Sequence, residues 1–458
     1  MIAIARILRR RLEGIVFLVA LLLILPLMLV RLALYRINKH HLAGLLTRWG
    51  NYLRHGLDDL RKAYWPGIRY ETTRDIWFHI LAIEWFAMLN VSTHPPRRCQ
   101  RQSPQRILVI KLAHFGDALH IFPMLQELRK QCPDAQVDLM VGPWCEELAK
   151  IFSKHDMLLI YSPRLGVFDR GNKPQRFSIW QTVKIWRKLR ARRYDLVIST
   201  STTSLAEALL MQVVSAAQWV GTHLPGRLFN PIGDTRLVAY DSREYESVRV
   251  MGLLRLCGLS TGRAQLYFPL TSDDHASAAN LLEEHRIGSG SKYAVLAPGA
   301  GWPGKQWLPE RFAEIGDRIQ QQYGLQVLFI GSRSEQPLCD QICASMKSQA
   351  IALAGTTSLK QLASIISKAS LFVGNDSGPM HVAACFEVPS LVLFGPTIAS
   401  KWAPRHAAVK VLQHEDCSGC VSWHFRAKCL HHNRCMKAIT VEEAWRAVQE
   451  LMAQETRS

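Results

Sequence analysis

The stretch from Leu371 to Thr397, LFVGNDSGPMHVAACFEVPSLVLFGPT, constrains the fold of this chain more than any other segment. Two apolar runs, Leu371–Val373 and Ser390–Phe394, are each closed by a glycine, which is typical of buried strands that end in turns. Between them, the capping residues Asn375 to Ser377 followed by Pro379 predict the start of a helix, and Pro389 ends the segment. The pattern therefore predicts strand, polar loop, helix and strand, the repeat of an open parallel sheet.

The polar loop in this unit is a candidate ligand site. In open parallel sheets, ligands bind at the carboxyl ends of the strands, and the free N–H groups of a helix N-terminus attract phosphate. A carboxylate in such a loop can accept hydrogen bonds from sugar hydroxyls. The residues alone leave two interpretations open. Either the loop binds a sugar carried on a phosphate, or Asp376 and Ser377 only cap the helix and His381 only packs on it.

Length and charge limit the classes of protein to which the chain can belong. A chain of 458 residues is long enough for two domains and an appendage. The formal net charge of +19 indicates an anionic partner. Basic residues crowd near a hydrophobic segment and no zinc-finger or RNA-binding signature is present, which favours an anionic membrane surface over nucleic acid. The 11 cysteines do not suggest a secreted disulfide framework, so reduced thiols in a cytoplasmic enzyme are expected.

The first hundred residues predict membrane attachment. Ile15–Val30 is an uncharged apolar run, at the short end for a bilayer span, and it follows a basic stretch. A cleaved secretory signal would begin in the same way, but Arg31 and Arg36 stand where a small-residue cleavage site should be. The aromatic and basic residues of Arg61–Asn90 suit either a membrane interface or a helical hairpin packed on the next domain. Val91–Pro104 is proline-rich and is predicted to be a linker.

A strand, turn and helix follow the linker and place a carboxylate at their junction. Arg106–Lys111 predicts a strand, the helix follows from Ala118, and Asp117 lies between them. Spacing allows Asp117 to be a general base or a helix cap. A single Gly116 is much weaker than a dinucleotide-binding fingerprint, so a nicotinamide oxidoreductase is disfavoured. His120 is interpreted as structural.

A second glycine-rich turn comes after the predicted strand Tyr293–Ala297. It reads Pro298 to Trp307, PGAGWPGKQW, and its glycines let backbone N–H groups approach phosphate while Lys305 supplies positive charge. A plain surface turn with its lysine in solvent is the alternative. After the next strand, Glu335 could accept hydrogen bonds from a ribose or could simply be a first-turn glutamate.

Four cysteines near the carboxyl end have enough ligand atoms for tetrahedral zinc. They are Cys417, Cys420, Cys429 and Cys435, with histidines among them. Only one pair has the two-residue spacing of a zinc knuckle. A structural metal, free or buried thiols, and disulfides therefore all stay open.

Three of these stretches together resemble motifs of glycosyltransferase family 9, the heptosyltransferase-like enzymes that build the inner core of lipopolysaccharide. The first is KLAHFGDALHIFPMLQELRKQCPDAQVDLMV, the second is APGAGWPGKQWLPERFAEI, and the third is VGNDSGPMHVAACFEVPSLVLFGPT followed by Trp402-Ala403-Pro404. The resemblance covers roughly Arg106 to Met436. It implies an α/β protein of the GT-B class, with two facing Rossmann-like doubly wound domains, joined here to an N-terminal membrane-associated helical segment.

Local composition and the resemblance together predict the domain bounds. Residues 1–104 would be membrane-anchoring and interfacial helices with a linker, 105–270 an acceptor-side domain, and 291–440 the nucleotide-sugar donor domain. Residues 441–458 would form a C-terminal helix that packs back across the first domain. The catalytic domains are expected on the cytoplasmic side of the inner membrane, because nucleotide sugars are cytoplasmic.

The resemblance implies inverting transfer of a sugar, expected to be heptose from ADP-heptose, to a lipopolysaccharide-core or related glycolipid acceptor. Asp117 would be the catalytic base and Lys305 would contact the donor phosphates. No D-x-D pair lies in a suitable loop, so no cofactor is expected for catalysis. A catalytically inactive sugar- or nucleotide-binding membrane protein of the same fold is the alternative. The other residues implied in donor binding are Gly299, Ala300, Glu335, Asp376, Ser377, Gly378 and His381.

Overall fold

A computed structural model describes residues 104–152, 155–161, 179–202, 214, 216–223, 234–239, 241, 243–414, 429 and 432–455. The predicted membrane-anchoring segment lies outside these ranges, as do Cys417 and Cys420. Within the ranges, no helix combines the length and the apolar character that a bilayer crossing requires.

The amino-terminal half of the described chain builds a six-stranded sheet with the order β3-β2-β1-β4-β5-β6. Its pairs β2–β3, β4–β5 and β5–β6 are parallel. The strands are β1 Arg106–Lys111, β2 Gln136–Val141, β3 Met157–Ile160, β4 Tyr194–Thr202, β5 Ala216–His223 and β6 Asp234–Ala239. The helices are α1 Phe115–Leu119, α2 Phe122–Gln131, α3 Glu146–Phe152, α4 Ile179–Arg192 and α5 Glu246–Leu256.

The carboxyl-terminal half builds a second six-stranded sheet, with the order β12-β11-β10-β7-β8-β9 and every pair parallel. The strands are β7 Tyr293–Ala297, β8 Gln326–Phe329, β9 Ala350–Ala352, β10 Leu371–Asn375, β11 Ser390–Phe394 and β12 Val409–Gln413. The helices are α6 Ser272–Glu284, α7 Pro309–Tyr323, α8 Gln336–Ser345, α9 Leu359–Ser367, α10 Gly378–Cys385, α11 Ala399–Trp402, α12 Arg434–Ala438 and α13 Val441–Glu455.

Strand order explains where a ligand can bind in the second sheet. The chain runs outward from β7 through β8 to β9, then crosses to β10 on the other side of β7. The connections after β7 and β10 therefore diverge at one point of the sheet edge, which is the topological switch point where open α/β sheets bind ligands. The glycine-rich turn and the Asp376 loop are these two connections.

The core of the second sheet is apolar because its strands are buried on both faces. Strands β7, β10 and β11 are buried along their whole length. Trp307, 1% exposed, packs edge-on against Phe312 in this core, and its indole N–H donates to the carbonyl of Ile439 at 2.9 Å. The indole thereby ties the start of α7 to the segment before α13.

Helix α13 packs on the second sheet, which differs from the expectation that the closing helix returns to the first domain. Val448 and Leu451 belong to the buried core of the second sheet, and the helix contacts α7, β11 and β12. The apolar face of α13 is therefore already covered by the half of the chain from which it emerges.

Contact density divides the chain into two compact units. Of the described residues, the first unit contains those up to Ile107 and those from 179 to Ala239. The second contains 108–152, 155–161 and the described residues from 241 onward. All site residues described below belong to the second unit.

Candidate active site

A buried ion pair stands at the switch point of the second sheet. Asp376 follows β10, and Lys305 ends the short 3₁₀ turn Pro303–Lys305 after β7. Lys305 Nζ lies 2.6 Å from Asp376 Oδ2, and the Thr397 hydroxyl donates to the same oxygen at 2.6 Å. The side chain of Asp376 is 7% exposed and that of Lys305 is 21% exposed. The fold therefore brings together two of the predicted donor-binding residues.

The environment keeps Asp376 ionised. Burial by itself raises the pKa of this carboxyl group, but the charge of Lys305 and the hydrogen bonds from Lys305 and Thr397 outweigh burial, so the pKa lies below its ordinary value. At neutral pH the site thus holds a carboxylate with one oxygen already engaged. Both contacts fall on Oδ2, so the second oxygen takes no part in the ion pair.

Asn375 holds the glycine-rich turn against β10. Its Oδ1 accepts from the N–H of Trp307 at 3.1 Å, and its Nδ2 donates to the carbonyl of Pro298 at 2.8 Å. The side chain is fully buried. Sequence reasoning treated Asn375 only as a capping residue, because an asparagine before a helix is a common local signal. Its actual partners are the two ends of a turn that lies far away in the sequence.

The start of α10 differs from a side-chain-capped helix. Ser377 is the N-cap residue in extended conformation, but its hydroxyl makes no capping hydrogen bond. Ser377 Oγ is buried and has no hydrogen-bond partner among the described residues. Pro379 follows Gly378 in the first turn, where the missing N–H costs nothing. Ser377 therefore does not perform the capping role that was the alternative to ligand binding.

Asp117 lies within α1 and does not cap it. The N-cap of this helix is His114, whose carbonyl accepts from the N–H of Ala118 at 3.0 Å. Asp117 is half-buried in the first turn. The helix follows β1 directly, so the carboxylate stands at the carboxyl end of a strand. Asp117 is therefore not the N-cap of this helix, which was the alternative to a catalytic role.

Helices α1 and α10 meet at two glycines. A Cβ on Gly116 would lie 2.5 Å from Cδ2 of His381 and 3.4 Å from the Cα of Gly378. A Cβ on Gly378 would lie 2.7 Å from Cδ1 of Phe115. Real Cβ contacts are not this short, so the close approach of the helices depends on glycine at both places.

The imidazole of His381 links the predicted catalytic and donor-binding residues. It is 3% exposed, and the charges of Asp376, Asp117 and Lys305 all act on it. Burial lowers the pKa of His381, and the nearby carboxylates only partly oppose this effect. The fold therefore gathers the carboxylate from the first motif and the ion pair from the other two motifs around one neutral ring.

Glu335 lies directly over Gly299. Its Oε2 accepts from the backbone N–H and the hydroxyl of Ser332 at 2.7 and 2.8 Å, which completes a capping box. A Cβ on Gly299 would lie 2.0 Å from Oε1 of Glu335. Glu335 thus has the local geometry of a first-turn capping glutamate, which was the alternative to ribose binding. The adjoining Ala300 is buried, and the ribose role of Glu335 stays a prediction.

A buried charge network around Glu246 was not predicted from the sequence. Both carboxylate oxygens of Glu246 face cations. Oε1 lies 3.0 Å from Lys111 Nζ and 2.6 Å from Arg249 Nη2. Oε2 lies 3.1 Å from Lys401 Nζ. Burial acts to raise the pKa of Glu246, but these cations hold it well below its usual range. No local pattern marks the network, because its members come from β1, α5 and α11.

The described part of the chain contains no group of three or more histidine, cysteine, aspartate or glutamate side chains that could hold a metal ion. Cys417 and Cys420 fall outside that part, so the zinc site stays a prediction. Cys435 is 4% exposed and belongs to the apolar core of the second sheet. Its Sγ lies 3.1 Å from the position that a Cβ on Gly395 would take.

Comparisons with known proteins show to which family the chain belongs. Residues 182–431, more than half of the chain, match the model of the family "Glycosyltransferase family 9 (heptosyltransferase)". Lipopolysaccharide heptosyltransferase 3 of Escherichia coli is 26% identical over 314 residues, which are 64% of this chain and 83% of the relative.

Two solved structures share the fold. The glycosyl transferase family 9 structure from Veillonella parvula has a TM-score of 0.62 and 22% identity, and the match covers 76% of this chain and 97% of that one. The E. coli ADP-heptose lps heptosyltransferase II has a TM-score of 0.58 and 20% identity, with 77% and 99% covered. With two parallel α/β sheets of the GT-B type and the three motifs gathered at one site, the chain belongs to glycosyltransferase family 9 and is a glycosyltransferase.

Proposed function

We propose that the protein transfers a heptosyl group from ADP-heptose to a lipopolysaccharide-core or related glycolipid acceptor, with inversion at the anomeric carbon. Family membership supports the reaction class, and the relatives' names supply the sugar and the nucleotide. The observation that carries the proposal is the convergence of Asp117, Lys305 and Asp376 around His381. A general base and a phosphate-binding cation are the two groups that such a transfer needs on opposite sides of the sugar.

At the anomeric carbon the proposed reaction forms one bond and breaks one, and one proton moves from the acceptor to Asp117. Asp117 takes the proton of the acceptor hydroxyl while that oxygen bonds to the anomeric carbon. The bond from the anomeric carbon to the diphosphate breaks, and its electron pair leaves with the diphosphate. Lys305 and the N–H groups at the start of α10 stabilise this developing negative charge.

The remaining predicted residues orient the donor in this proposal. The second oxygen of Asp376 accepts from a sugar hydroxyl, and the backbone of Ser377 and Gly378 contacts phosphate. Gly299 and Ala300 let the turn approach the nucleotide, and Glu335 accepts from the ribose through Oε1. The depressed pKa of Asp376 supports its part, because only the ionised form accepts at both oxygens.

The substitution Asp117→Asn tests the mechanism. Asparagine has nearly the same shape and cannot take a proton, so kcat should fall by about 10²–10⁴-fold while the affinity for ADP stays within about twofold. Asp134→Asn, the same change at an exposed carboxylate between α2 and β2, is the matched control and should leave kcat unchanged. Transfer by the Asp117→Asn variant at the wild-type rate would exclude Asp117 as the base. Absence of transfer in both the parent protein and the variant, with donor binding retained, would favour the catalytically inactive binding protein.

We further propose that residues 1–104 attach the enzyme to the inner membrane, with the catalytic domains on the cytoplasmic side. The apolar run Ile15–Val30 and the net charge of +19 support attachment to an anionic surface. A glycolipid acceptor and a cytoplasmic nucleotide sugar meet at that surface.

A further inference from the structure

His120 and His381 form a buried pair that the proposed chemistry does not use. Nε2 of His120 lies 3.2 Å from Nδ1 of His381, and Nδ1 of His120 lies 2.6 Å from the hydroxyl of Ser247. His120 and Ser247 are completely buried. Ser247 is also hydrogen-bonded to Tyr245. The four side chains make one continuous hydrogen-bonded chain that ends at the His381 ring.

The orientation of both rings is fixed by packing. The His120 ring meets the rings of Tyr245, His381 and Trp402 edge-on, with centroid distances of 5.6, 4.8 and 5.8 Å. The Cδ2–Nε2 edge of His381 faces Gly116, because a Cβ on that glycine would lie 2.5 Å from Cδ2 and 3.2 Å from Nε2. Nδ1 of His381 therefore points to His120, and Nε2 points to the turn that carries Asp117.

Both imidazoles are neutral near neutral pH. Burial lowers the pKa of His381, and it lowers the pKa of His120 well below the ordinary value. A neutral imidazole has one N–H and one lone pair, so in a hydrogen-bonded pair one ring donates and the other accepts. Only two directions of the chain are possible, and they differ in whether His381 presents a proton or a lone pair on Nε2.

Nearby charge selects between the two directions. Besides burial, the charges of Asp376, Asp117 and Glu246 raise the pKa of His381 and that of Lys305 lowers it, so these groups lie near the ring. Because the Cδ2–Nε2 edge faces the turn of Gly116 and Asp117, a lone pair on Nε2 would be repelled by the Asp117 carboxylate, whereas an N–H there is attracted. With the proton on Nε2, Nδ1 of His381 accepts from His120, and His120 in turn accepts from the Ser247 hydroxyl.

We propose that His120 is a positioning residue that acts through His381: its hydrogen bond fixes His381 as the tautomer that carries its proton on Nε2, directed at the turn that holds Asp117. The N–H dipole stabilises the carboxylate in the form that accepts a proton from the acceptor. The catalytic consequence rests on the proposed function, but the tautomer itself does not.

Nitrogen-15 NMR of the full-length protein with labelled histidines tests the tautomer without any activity measurement. Because the chain has 17 histidines, the His381 signal is identified by its loss in His381→Asn. We expect a neutral ring with the proton on Nε2 at neutral pH. A proton on Nδ1, or a charged ring, would overturn the proposal even if the enzyme transfers heptose as proposed.

Kinetics of two variants at position 120 test the positioning role. His120→Gln keeps an amide N–H donor near the place of Nε2, whereas His120→Leu removes the donor with similar volume. We expect the leucine variant to lose about tenfold or more in kcat with the KM for donor within about twofold, and the glutamine variant to recover most of kcat.

Equal losses in the two variants, or a change confined to KM, would reject the positioning role. Should the leucine variant not fold, the glutamine variant and the NMR of the unmodified protein still decide. If no heptosyl transfer is found for the unmodified protein, the proposed function fails while the NMR result stands by itself.

Discussion

At the scale of single residues, the ion pair of Lys305 and Asp376 bears on both the stability of the fold and the proposed donor binding. Removing one partner of a buried pair leaves the other as an uncompensated charge in a poorly solvated place, which costs much more than the pair contributes. In the proposed donor site the pair also sets the charge that a phosphate would meet, since Lys305 Nζ lies 2.6 Å from the carboxylate. A conservative change here therefore alters folding and donor binding together.

Lys305→Met tests the stability of this pair through its pH dependence. We expect a loss of about 3 kcal/mol near pH 7, the lower end of the range for breaking a buried pair, because the lysine is 21% exposed. The folded-state pKa of Asp376 is depressed, so its contribution is present above the unfolded-state pKa and is lost as the pH falls through the folded-state pKa. The deficit should therefore be nearly constant from about pH 7 to about pH 5 and shrink as the pH is lowered further, from about 5 to about 2.

Thermal unfolding of the wild type and of Lys305→Met at several pH values measures this deficit. Lys347→Met, at an exposed lysine after α8, is the matched control and should show a small effect that does not vary with pH. A deficit for Lys305→Met that stays constant down to acid pH would mean that the loss is not caused by the charge of Asp376.

At the scale of elements, the site depends on how closely α1 approaches α10. Two facing glycines permit this approach, and the imidazole of His381 fills the space that a side chain on Gly116 would need. Since Asp117 is the next residue along α1, any displacement of this helix moves the proposed base. Short, well-placed helices of this kind transmit a change of one methyl group directly to the chemistry.

Gly116→Ala tests the closeness of this contact. The added methyl group would lie 2.5 Å from Cδ2 of His381, so the helices must separate or the ring must turn, at a cost of about 1–3 kcal/mol. We expect a lower thermal midpoint and a fall of about tenfold or more in kcat/KM. Gly252→Ala is the matched control within α5: nothing lies within 4 Å of its added methyl group, and alanine should stabilise the helix by about 0.5–1 kcal/mol. Unchanged kinetics for Gly116→Ala would show that the α1–α10 approach does not matter to the reaction.

At the scale of the whole molecule, the composition and the proposed acceptor point to the same surface. The net charge of +19 attracts anionic headgroups over roughly a Debye length, while an apolar run such as Ile15–Val30 acts by burial and is insensitive to salt. The two contributions can therefore be separated by ionic strength.

A double substitution, Leu22→Arg with Leu23→Arg, tests attachment through the apolar run. Two charges at its centre oppose insertion by about 2.5–3.5 kcal/mol each. In a wash at about 1 M salt, where headgroup attraction is screened, the variant should leave the membrane fraction while the wild type stays. The control is Leu45→Arg with Leu46→Arg, the same change outside the run. Retention of the first variant through the salt wash would contradict anchoring by Ile15–Val30.

The sequence by itself determined the parts that depend on neighbours in the chain. Apolar runs closed by glycine indicated the strands β10 and β11, and an apolar run before a glycine-rich turn indicated β7. The turns after β7 and β10 contain Lys305 and Asp376, and parallel strands place such turns at one edge of a sheet. The motif that contains Asp117 was equally readable. The sequence did not show which distant partner each of these side chains would contact.

Only the tertiary structure decided the pairings. Lys305 and Asp376 are 71 residues apart in the chain, Lys111 and Glu246 are 135 apart, and His120 and His381 are 261 apart. Local propensity and hydrophobic periodicity describe a residue's own element and say nothing about which distant element will cover it. From the sequence, His120 is therefore expected to be structural and Asn375 to be a helix cap. The packing of whole elements places the hydrogen-bonding atoms of both residues against distant partners, which no short sequence pattern encodes.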